Sequence, residues 1–571
     1  IKTRTDCGNC CPHQLEIMGR DQEDSMISDL LAKNPCRSGE LDLNWPVERI
    51  IKYVAGSSQL AGLEELCKSD LEASKLREFG NHFYRLRNLV EATFCYNQAI
   101  CRAPPDSEQL GMGYANRSAI CFELGEYEMA LFNIQLARKH NYPDKLMAKL
   151  LERERNCRQR IADGHSKGTV PNPRMGFNVD INPRIPFLAK GIAMGYDPKF
   201  GRGLVAEKDF NAGDLILDET SELFVHEFSL CFQRCNQCSA SLYLILIPCR
   251  TCVLLMYCSE KCRELHWKLF HRFECGVVTK LCCVSGTGDI ITPRFFFYGL
   301  TQFGDDLQAM MEYCEKEVST QSNPLELDFA NLDRMEWFRV LHNTHPRGLD
   351  SSPGGKRAVA SYFVVFLMNP VVKSIIRTEA HRQFFLRSLL RYSSMIHPLA
   401  TTFFTSDGRM FAAVLPIGSL LNHSCDPHGI QSLNYGRRKV ILVRPVRKGE
   451  QIFVSYGPIW WRHIPGAVLP FKCRCVVCDQ PGREWHSLKG RPIPLKAVKD
   501  MLVLKEIHEK ADVHPATKLI ALQQFMKRYA HCHPNEAFLG SFLKVYCSFL
   551  EMSCETEGQR LVRARLQAEF V

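Results

Sequence analysis

No run of apolar residues in this 571-residue chain approaches the roughly 20 that a membrane-crossing helix requires. The longest, such as YLILI at Tyr243–Ile247, stop far short, so a membrane protein is not expected. There is also no block of Lys and Arg long enough to act as a nucleic-acid arm. The net charge of +10 is modest for this length; it permits acidic partners without demanding them. No signal peptide is visible, although the chain opens at Ile1 rather than Met, and residues are expected to precede it. Composition is equally free of extremes, at 45% apolar and 23% charged residues, as in ordinary globular proteins. A chain this long does not form one core, and about three or four domains are expected.

What the chain has in quantity is cysteine, 27 in all. Such a count suits either a disulfide-rich secreted protein or an intracellular zinc protein, and spacing decides between them. Between Cys235 and Cys275 the pairs Cys235/Cys238, Cys249/Cys252, Cys258/Cys262 and His271/Cys275 follow one another. Each pair can grip an ion from a tight turn or a helix end, and eight such ligands match two tetrahedral zinc ions. Four regular pairs in one short run favour zinc over disulfides or buried thiols. A second cluster, CRCVVC, supplies Cys473, Cys475 and Cys478. Three thiolates leave a tetrahedral zinc one ligand short. Cys425, in the stretch LNHSCDPH (Leu421–His428), is a candidate for the fourth; with no partner, the trio reads equally as a reactive or incidental cluster. CGNCCPH (Cys7–His13) has metal-like spacing but stands alone, and reads as a terminal loop with spare thiols.

Residues 1–68 form a weakly patterned N-terminal segment. Over 69–163 the pattern is helical. LREFGNHFYRLRNLVEATFCYNQAI (Leu76–Ile100) carries apolar residues three and four apart, with Gly80 where a close helix contact wants a small side chain. APP (Ala103–Pro105) breaks it, and YANRSAICFELGEYEMALFNIQLARKH (Tyr114–His140) repeats the helix–turn–helix plan. A third unit is expected at Asp144–Arg158. Helix pairs of this kind leave an apolar face bare and need stacked neighbours. Residues 164–186, rich in Gly, Pro and Asn, read as a linker. Strand-like runs follow over 187–230, with a turn at Asn211–Gly213. The cysteine-rich segment occupies 231–275. A mainly helical insert, interrupted by an SSPGGK loop (Ser351–Lys356), covers 276–400. Strands return over 401–460, the second cysteine cluster lies in 461–480, and helices fill 481–571. A β-rich unit is thus split by two inserts and flanked by helical arrays.

These segments resemble known families. REFGN, NRSAICFEL and the GEYEMAL turn resemble tetratricopeptide repeats. The order of the first four pairs, and the ending RELHWKLFHRFEC, resemble a MYND finger. That resemblance implies interleaved pairs: Cys235, Cys238, Cys258 and Cys262 on one zinc, and Cys249, Cys252, His271 and Cys275 on the other. FGRGLVAEKDFNAGDLIL (Phe200–Leu217), PIGSLLNHSCDPH (Pro416–His428), KGEQIFVSYG (Lys448–Gly457) and FKCRCVVC (Phe471–Cys478) resemble, in order, a SET domain with its post-SET zinc. The whole is similar to the SET and MYND domain-containing family, in its type-four-like subgroup. The implied architecture is multidomain α+β: a SET fold with an inserted MYND finger and a helical insert, between N-terminal and C-terminal helical arrays. Three zinc ions are implied, with Cys425 completing the post-SET site.

The resemblance also implies an activity, transfer of a methyl group from S-adenosylmethionine to a protein lysine. Gly201, Arg202 and Gly203 match the segment whose backbone approaches the cofactor, which glycine permits. Asn422 and His423 match residues that hold it, and Phe471 matches an aromatic that stacks on adenine. Tyr456 is the catalytic tyrosine and also faces the cofactor, and Phe403 lines a channel for the lysine stem. Three features depart from the family: His428 stands where an asparagine is usual, Thr401–Phe403 reads TTF instead of Asn-Ser-Phe, and the stretch between Tyr456 and Cys473 contains WWRH. A second reading is a zinc-braced interaction scaffold that has lost turnover. Arg77, Asn81, Asn116, Lys145 and Lys149 match positions that grip acidic chaperone tails, the spacing placing the pairs 77/81 and 145/149 each on one helix face. The finger is expected to bind protein ligands rather than DNA. A monomer of the cytoplasm and nucleus is expected.

Overall fold

The computed structural model describes residues 63–165, 176–284, 290–316, 322–344, 353–404, 410–434, 436–460, 469, 471–479, 490–510, 512–535 and 538–539. Cys7–His13 lies outside them.

The described residues open with five helices: α1 (Asp70–Arg85), α2 (Leu89–Arg102), α3 (Glu108–Glu123), α4 (Tyr127–Lys139) and α5 (Met147–Ala162). Their starts are written locally. The Ser69, Asn88 and Ser107 side chains accept the backbone N–H of Glu72, Glu91 and Leu110. Within Leu76–Ile100 the chain turns between α1 and α2, with Arg87 at φ +59°. The close approach anticipated at Gly80 is present: a Cβ there would come within 2.4 Å of the Tyr96 ring. The third unit is different from expectation. Asp144–Leu146 is a 3-10 turn, and α5 follows it as a single helix against α4 and α3. Lys145 and Lys149 therefore sit on a turn and a helix, not on one helix face.

The cysteine-rich segment packs directly onto these helices, in a common apolar cluster that includes Tyr96, Ile100, Leu131, Leu246 and Tyr257. Polar groups fix the contact. Asn97 Nδ2 donates to the carbonyls of Phe232 and Tyr243, both at 2.8 Å, and Asn133 Nδ2 to that of Leu244 at 2.8 Å. Between them lies Arg117, fully buried, donating to Asn97 Oδ1 (2.7 Å), Asn133 Oδ1 (2.8 Å) and the Leu246 carbonyl (2.9 Å). Burial without a facing carboxylate lowers its pKa to about 10.

The β-structure consists of small sheets. Strands β1 (Ile192–Asp197) and β2 (Gly201–Ala206) form an antiparallel hairpin, with Gly203 opposite Gly195. β3 (Leu215–Thr220) pairs with β11 (Arg437–Leu442), which pairs with β10 (Gly429–Asn434). β4 (Phe224–His226), β8 (Met410–Val414) and β7 (Ala400–Phe404) form a third sheet. β5 (Ile247–Pro248) and β6 (Met256–Tyr257) pair inside the cysteine-rich segment. The last pair, β9 (Asn422–His423) and β12 (Phe453–Val454), is parallel and two residues long. The turn expected at Asn211–Gly213 is present, with Gly213 at φ +91°.

Helix α6 (Glu260–His266) closes the cysteine-rich segment and continues through a π turn, Trp267–His271. The insert then supplies α7 (Ile291–Gln302), α8 (Leu307–Glu315), α9 (Arg334–Thr344), α10 (Pro353–Met368) and α11 (Glu379–Leu399) around an aromatic core of Phe295, Phe296, Phe297, Phe366 and Phe385. The expected SSPGGK loop is shorter than anticipated. Pro353 opens α10, where its fixed φ and missing N–H are tolerated. Beyond the strands, α12 (Leu495–Glu509) and α13 (Pro515–Tyr529) pack through Leu504, Leu522 and Phe525 against Leu215, Ile441 and Trp460.

Arg117→Ala strands three buried acceptors at the joint between helices and cysteine-rich segment. The expected cost is about 2–4 kcal/mol, read by denaturant unfolding, with earlier proteolytic cleavage near residues 231–246. Unchanged stability would show that the joint does not depend on this side chain.

Candidate active site and metal centres

The structure gathers the expected metal ligands into three groups: Cys235, Cys238, Cys258 and Cys262; Cys249, Cys252, His271 and Cys275; and Cys425, Cys473, Cys475 and Cys478. Within each group the ligand atoms lie within 4.8 Å of one another. The pairs interleave, first with third and second with fourth. None of these cysteines forms a disulfide. Sulfur separations of 3.6 Å (Cys238–Cys258), 3.6 Å (Cys258–Cys262) and 3.7 Å (Cys425–Cys478) are too long for an S–S bond. They fit a tetrahedral ion, since zinc held at about 2.3 Å sets its sulfurs about 3.8 Å apart. The donor sets, four thiols twice and three thiols with one imidazole, are zinc chemistry and could hold three zinc ions. In the third group the Cys425 backbone N–H donates to Cys475 Sγ at 3.4 Å.

Cys425 belongs to a segment that crosses another. Asn422–Ser424 runs beside Phe453–Val454, and the backbone N–H groups of Ser424 and His428 donate to the Val454 and Phe453 carbonyls, both at 2.9 Å. Asn422 Nδ2 donates to the carbonyls of Phe200 (3.2 Å) and Arg202 (2.8 Å), stapling the Gly201–Gly203 segment beneath it. Gly201 sits at φ +74°. At Gly203 a Cβ would meet the Gln451 amide nitrogen at 2.1 Å and that of Asn422 at 2.9 Å. Gly201 thus takes a left-handed backbone that glycine adopts freely, while a Cβ at Gly203 would displace the ends of two amide side chains.

His423 does not point away as a free ligand. Its Nδ1 accepts the Tyr456 backbone N–H at 3.0 Å, so Nε2 carries the proton and faces Cys425 Sγ at 3.4 Å. Burial lowers its pKa, which keeps the ring neutral. Tyr456 donates its hydroxyl to the Leu421 carbonyl at 2.7 Å. That end is enclosed, and burial raises the phenol's pKa against the opposing charge of Arg438. Its ring is nevertheless open: Tyr456 is 46% and Phe471 48% exposed, with centroids 6.4 Å apart. Neither is a core aromatic. Arg202 is half-buried at the same place. Phe403 and Thr401 lie on β7, with Phe403 opposite Phe411 in register.

His428, one of the departures from the family pattern, is buried and accepts the Phe453 backbone N–H at Nδ1 (3.2 Å). Burial lowers its pKa to about 3, so it remains a neutral acceptor. It thereby makes a side-chain hydrogen bond across the crossing. Asn81 and Asn116 do meet: Asn116 Nδ2 and Tyr96 OH both donate to Asn81 Oδ1, at 2.9 and 2.8 Å. Arg77 turns to Gln109 at 3.1 Å. Lys145 and Lys149 are exposed.

Sequence reasoning missed Glu219 and Gln451. Glu219 on β3 is buried and accepts the N–H groups of Ile417 (3.1 Å) and Gly418 (2.7 Å), fixing the turn that delivers Leu421. Gln451 has both amide atoms buried without a hydrogen-bond partner, against Gly203. Neither belongs to a spaced pattern, so no sequence signal marks them.

A family model described as SET domain matches residues 201–457. The chain is 27% identical to the "Protein-lysine N-methyltransferase SMYD4" of Gallus gallus, over 70% of this chain and 70% of that protein. It is 22% identical to the protein of that name from Danio rerio, over 65% of this chain and 56% of the relative. The "N-lysine methyltransferase SMYD2-B" of Danio rerio is 22% identical over 55% of this chain and 66% of the relative. The chain thus spans between about half and 70% of the length of the relatives it matches. Among solved structures, "Structure of Rubisco LSMT bound to AdoMet" matches at 12% identity, covering 65% of this chain and 90% of that one, with a TM-score of 0.20, too low to carry an argument.

Two predictions follow from this geometry. Cys475→Ser is expected to lower bound zinc from three ions to two per chain, read by metal analysis of the purified protein. Three retained ions would contradict the third site. The second concerns Glu219, which burial pushes up to about 7 from 4.5, against the two backbone N–H groups and Arg438. The folded state holds a proton that the unfolded chain releases near pH 4.5. Stability from this group is complete below that pH and is lost as pH rises through about 7. Glu219→Gln is expected to flatten that fall, by up to about 3 kcal/mol, in denaturant midpoints taken across the window. Parallel pH profiles would contradict the assignment.

Proposed function

Because the chain carries a SET domain and is related over most of its length to SET and MYND domain proteins, we propose that it is an S-adenosylmethionine-dependent protein-lysine N-methyltransferase. The observation that carries this reading is the open, half-exposed pair Tyr456 and Phe471 beside the glycine cradle stapled by Asn422. The residues fit the cofactor: Gly201 gives a left-handed backbone with open space where a Cβ would stand, Gln451 holds unsatisfied amide atoms against Gly203, and an exposed aromatic face suits a purine. In this reading Gly201, Arg202, Gly203, Asn422 and Phe471 contact the cofactor, whereas His423 contributes backbone and braces Tyr456 from behind.

S-adenosylmethionine, when bound, supplies a methyl group activated by a sulfonium. The chain's residues then orient the acceptor. Tyr456 commits its proton to the Leu421 carbonyl, which leaves its oxygen lone pairs to receive an amine N–H. Its raised pKa keeps it protonated at neutral pH, so it positions and does not act as base. A substrate lysine, unperturbed near ~10.4, loses its proton before attack.

The finer architecture belongs to the same reading. Helices α1–α5 are tetratricopeptide-like, and the two interleaved metal groups are a MYND finger. Asn81 and Asn116, with Arg77, Lys145 and Lys149, are a surface for acidic chaperone tails, and the finger takes protein ligands. The division at residues 69, 164, 187, 231, 276, 401, 461 and 481 belongs to the same reading. Residence in cytoplasm and nucleus accords with thiols kept reduced for metal.

The test uses labelled S-adenosylmethionine with a protein or peptide array. Methyl incorporation is expected with the wild-type chain. In Tyr456→Phe it is expected to fall by about 100-fold or more while cofactor affinity changes little, as for loss of one oriented polar group. Cofactor binding without transfer by the wild type would favour the scaffold reading.

A further inference from the structure

The second metal group has one ligand that is not sulfur. His271 is 1% exposed and lies in the π turn Trp267–His271. Its Nε2 faces Cys249 Sγ at 3.2 Å and Cys252 Sγ at 3.4 Å, which points that nitrogen into the metal group. The opposite nitrogen, Nδ1, is buried without a hydrogen-bond partner. It looks toward Glu274 Oε2 at 3.7 Å. Glu274 is 2% exposed and cannot take its partner from water.

Glu274 is gripped from its other side. Arg294, on α7, donates Nε to Oε1 at 2.6 Å and Nη2 to Oε2 at 3.1 Å, a two-pronged pair. The remaining arm, Nη1, donates to the Phe224 carbonyl on β4 at 3.0 Å. A continuous path of buried polar groups therefore runs from the metal group to a strand of the β-rich unit: His271, Glu274, Arg294, Phe224. Nothing in the ligand spacing requires it. A carboxylate behind a ligating histidine fixes which ring nitrogen is protonated and holds the ring in place, and such partners set metal affinity.

We propose that Glu274 and Arg294 are positioning residues for the second metal ion. They hold His271 as an Nε2 ligand and tie the ion to β4, so that the finger is locked to the β-rich unit through its metal. The ion needs the lock as much as the finger does. If Glu274 lost its charge or its grip, Nδ1 would face an apolar interior alone and the ring would be free to rotate out of the ligand set. This inference rests on zinc in the second group and not on methyl transfer.

The test is competitive release of zinc from the full-length, zinc-loaded protein by a graded series of chelators, with each ion counted. In Glu274→Gln one ion of the three is expected to be held about 10- to 100-fold more weakly, with the other two unchanged. Arg294→Lys keeps a charge but not the two-pronged geometry, and is expected to weaken the same ion by less. Asp305→Asn is the comparison, since it breaks the neighbouring Arg272–Asp305 pair (2.5 and 2.6 Å), which does not touch His271. It is expected to release all three ions as the wild type does. Wild-type release from Glu274→Gln, or uniform weakening of all three ions in every variant, would overturn the proposal. Should Glu274→Gln not fold, an experimental map of the metal-loaded wild type decides. Nε2 on the ion with Nδ1 in hydrogen-bond reach of Glu274 is expected; Nδ1 on the ion, or Glu274 turned away, would overturn it.

Discussion

The candidate site depends on a crossing of two strands that cannot hold itself together. A parallel pair of two residues, Asn422–His423 beside Phe453–Val454, has too few backbone hydrogen bonds to persist alone. Side chains supply the rest. The Asn422 amide reaches down to Phe200 and Arg202, His428 takes the Phe453 N–H, and His423 takes that of Tyr456. Immediately after the crossing, Cys425 meets the three thiols of the CRCVVC segment. A metal there closes a loop of about 50 residues, which constrains the chain far more strongly than any of these hydrogen bonds singly. The candidate site residues Asn422 and Phe471 stand three and two positions from the metal ligands Cys425 and Cys473, so the ion and the site are held by the same short segments.

The same logic recurs at the other end of the molecule. The cysteine-rich segment is too small to build a core, and most of its buried side chains either ligate or pack onto helices α2–α4. Asn97, Arg117 and Asn133 satisfy carbonyls of the segment that have no strand partner, while Arg294 reaches it from the insert. Polar groups buried this way are costly unless every one is answered, and here they act as register marks between units that apolar contact alone would leave free to slide. At the C-terminal side Asp426 plays a comparable part. It accepts Trp460 Nε1 at 2.9 Å and lies 3.1 Å from His533 Nε2, tying the segment after α13 to the loop of the crossing.

Much of this was legible in the sequence, and the reason is chemical. Cysteine and histidine pairs two to four positions apart announce metal because few other arrangements use them, and the eleven ligands so spaced come together with Cys425, which the family resemblance supplied. Gly80 was legible because close approach to the Tyr96 ring leaves only glycine. What spacing alone did not reveal was pairing in space; the family resemblance supplied the interleaving of the finger ligands. Lys145 and Lys149 misled because an i, i+4 spacing implies one helix, and a 3-10 turn precedes α5. The SSPGGK loop misled because proline and glycine read as a break, although proline is welcome at a helix start. Glu219 and Arg294 were silent because a single buried polar residue has no period and no motif, and Gln451 and Glu274 stand inside quoted motifs whose spacing gives them no role. The partner of such a residue lies on another element, and only the assembled fold brings the two within reach.

The central claim is that the crossing, closed by the third ion, forms a pocket for S-adenosylmethionine. The most direct measurement is a calorimetric titration of the purified chain with that molecule, with all three zinc ions bound and again after the third has been removed. One saturable site that disappears with the third ion is the predicted result. No binding to the fully zinc-loaded chain, or binding indifferent to that ion, would contradict the account.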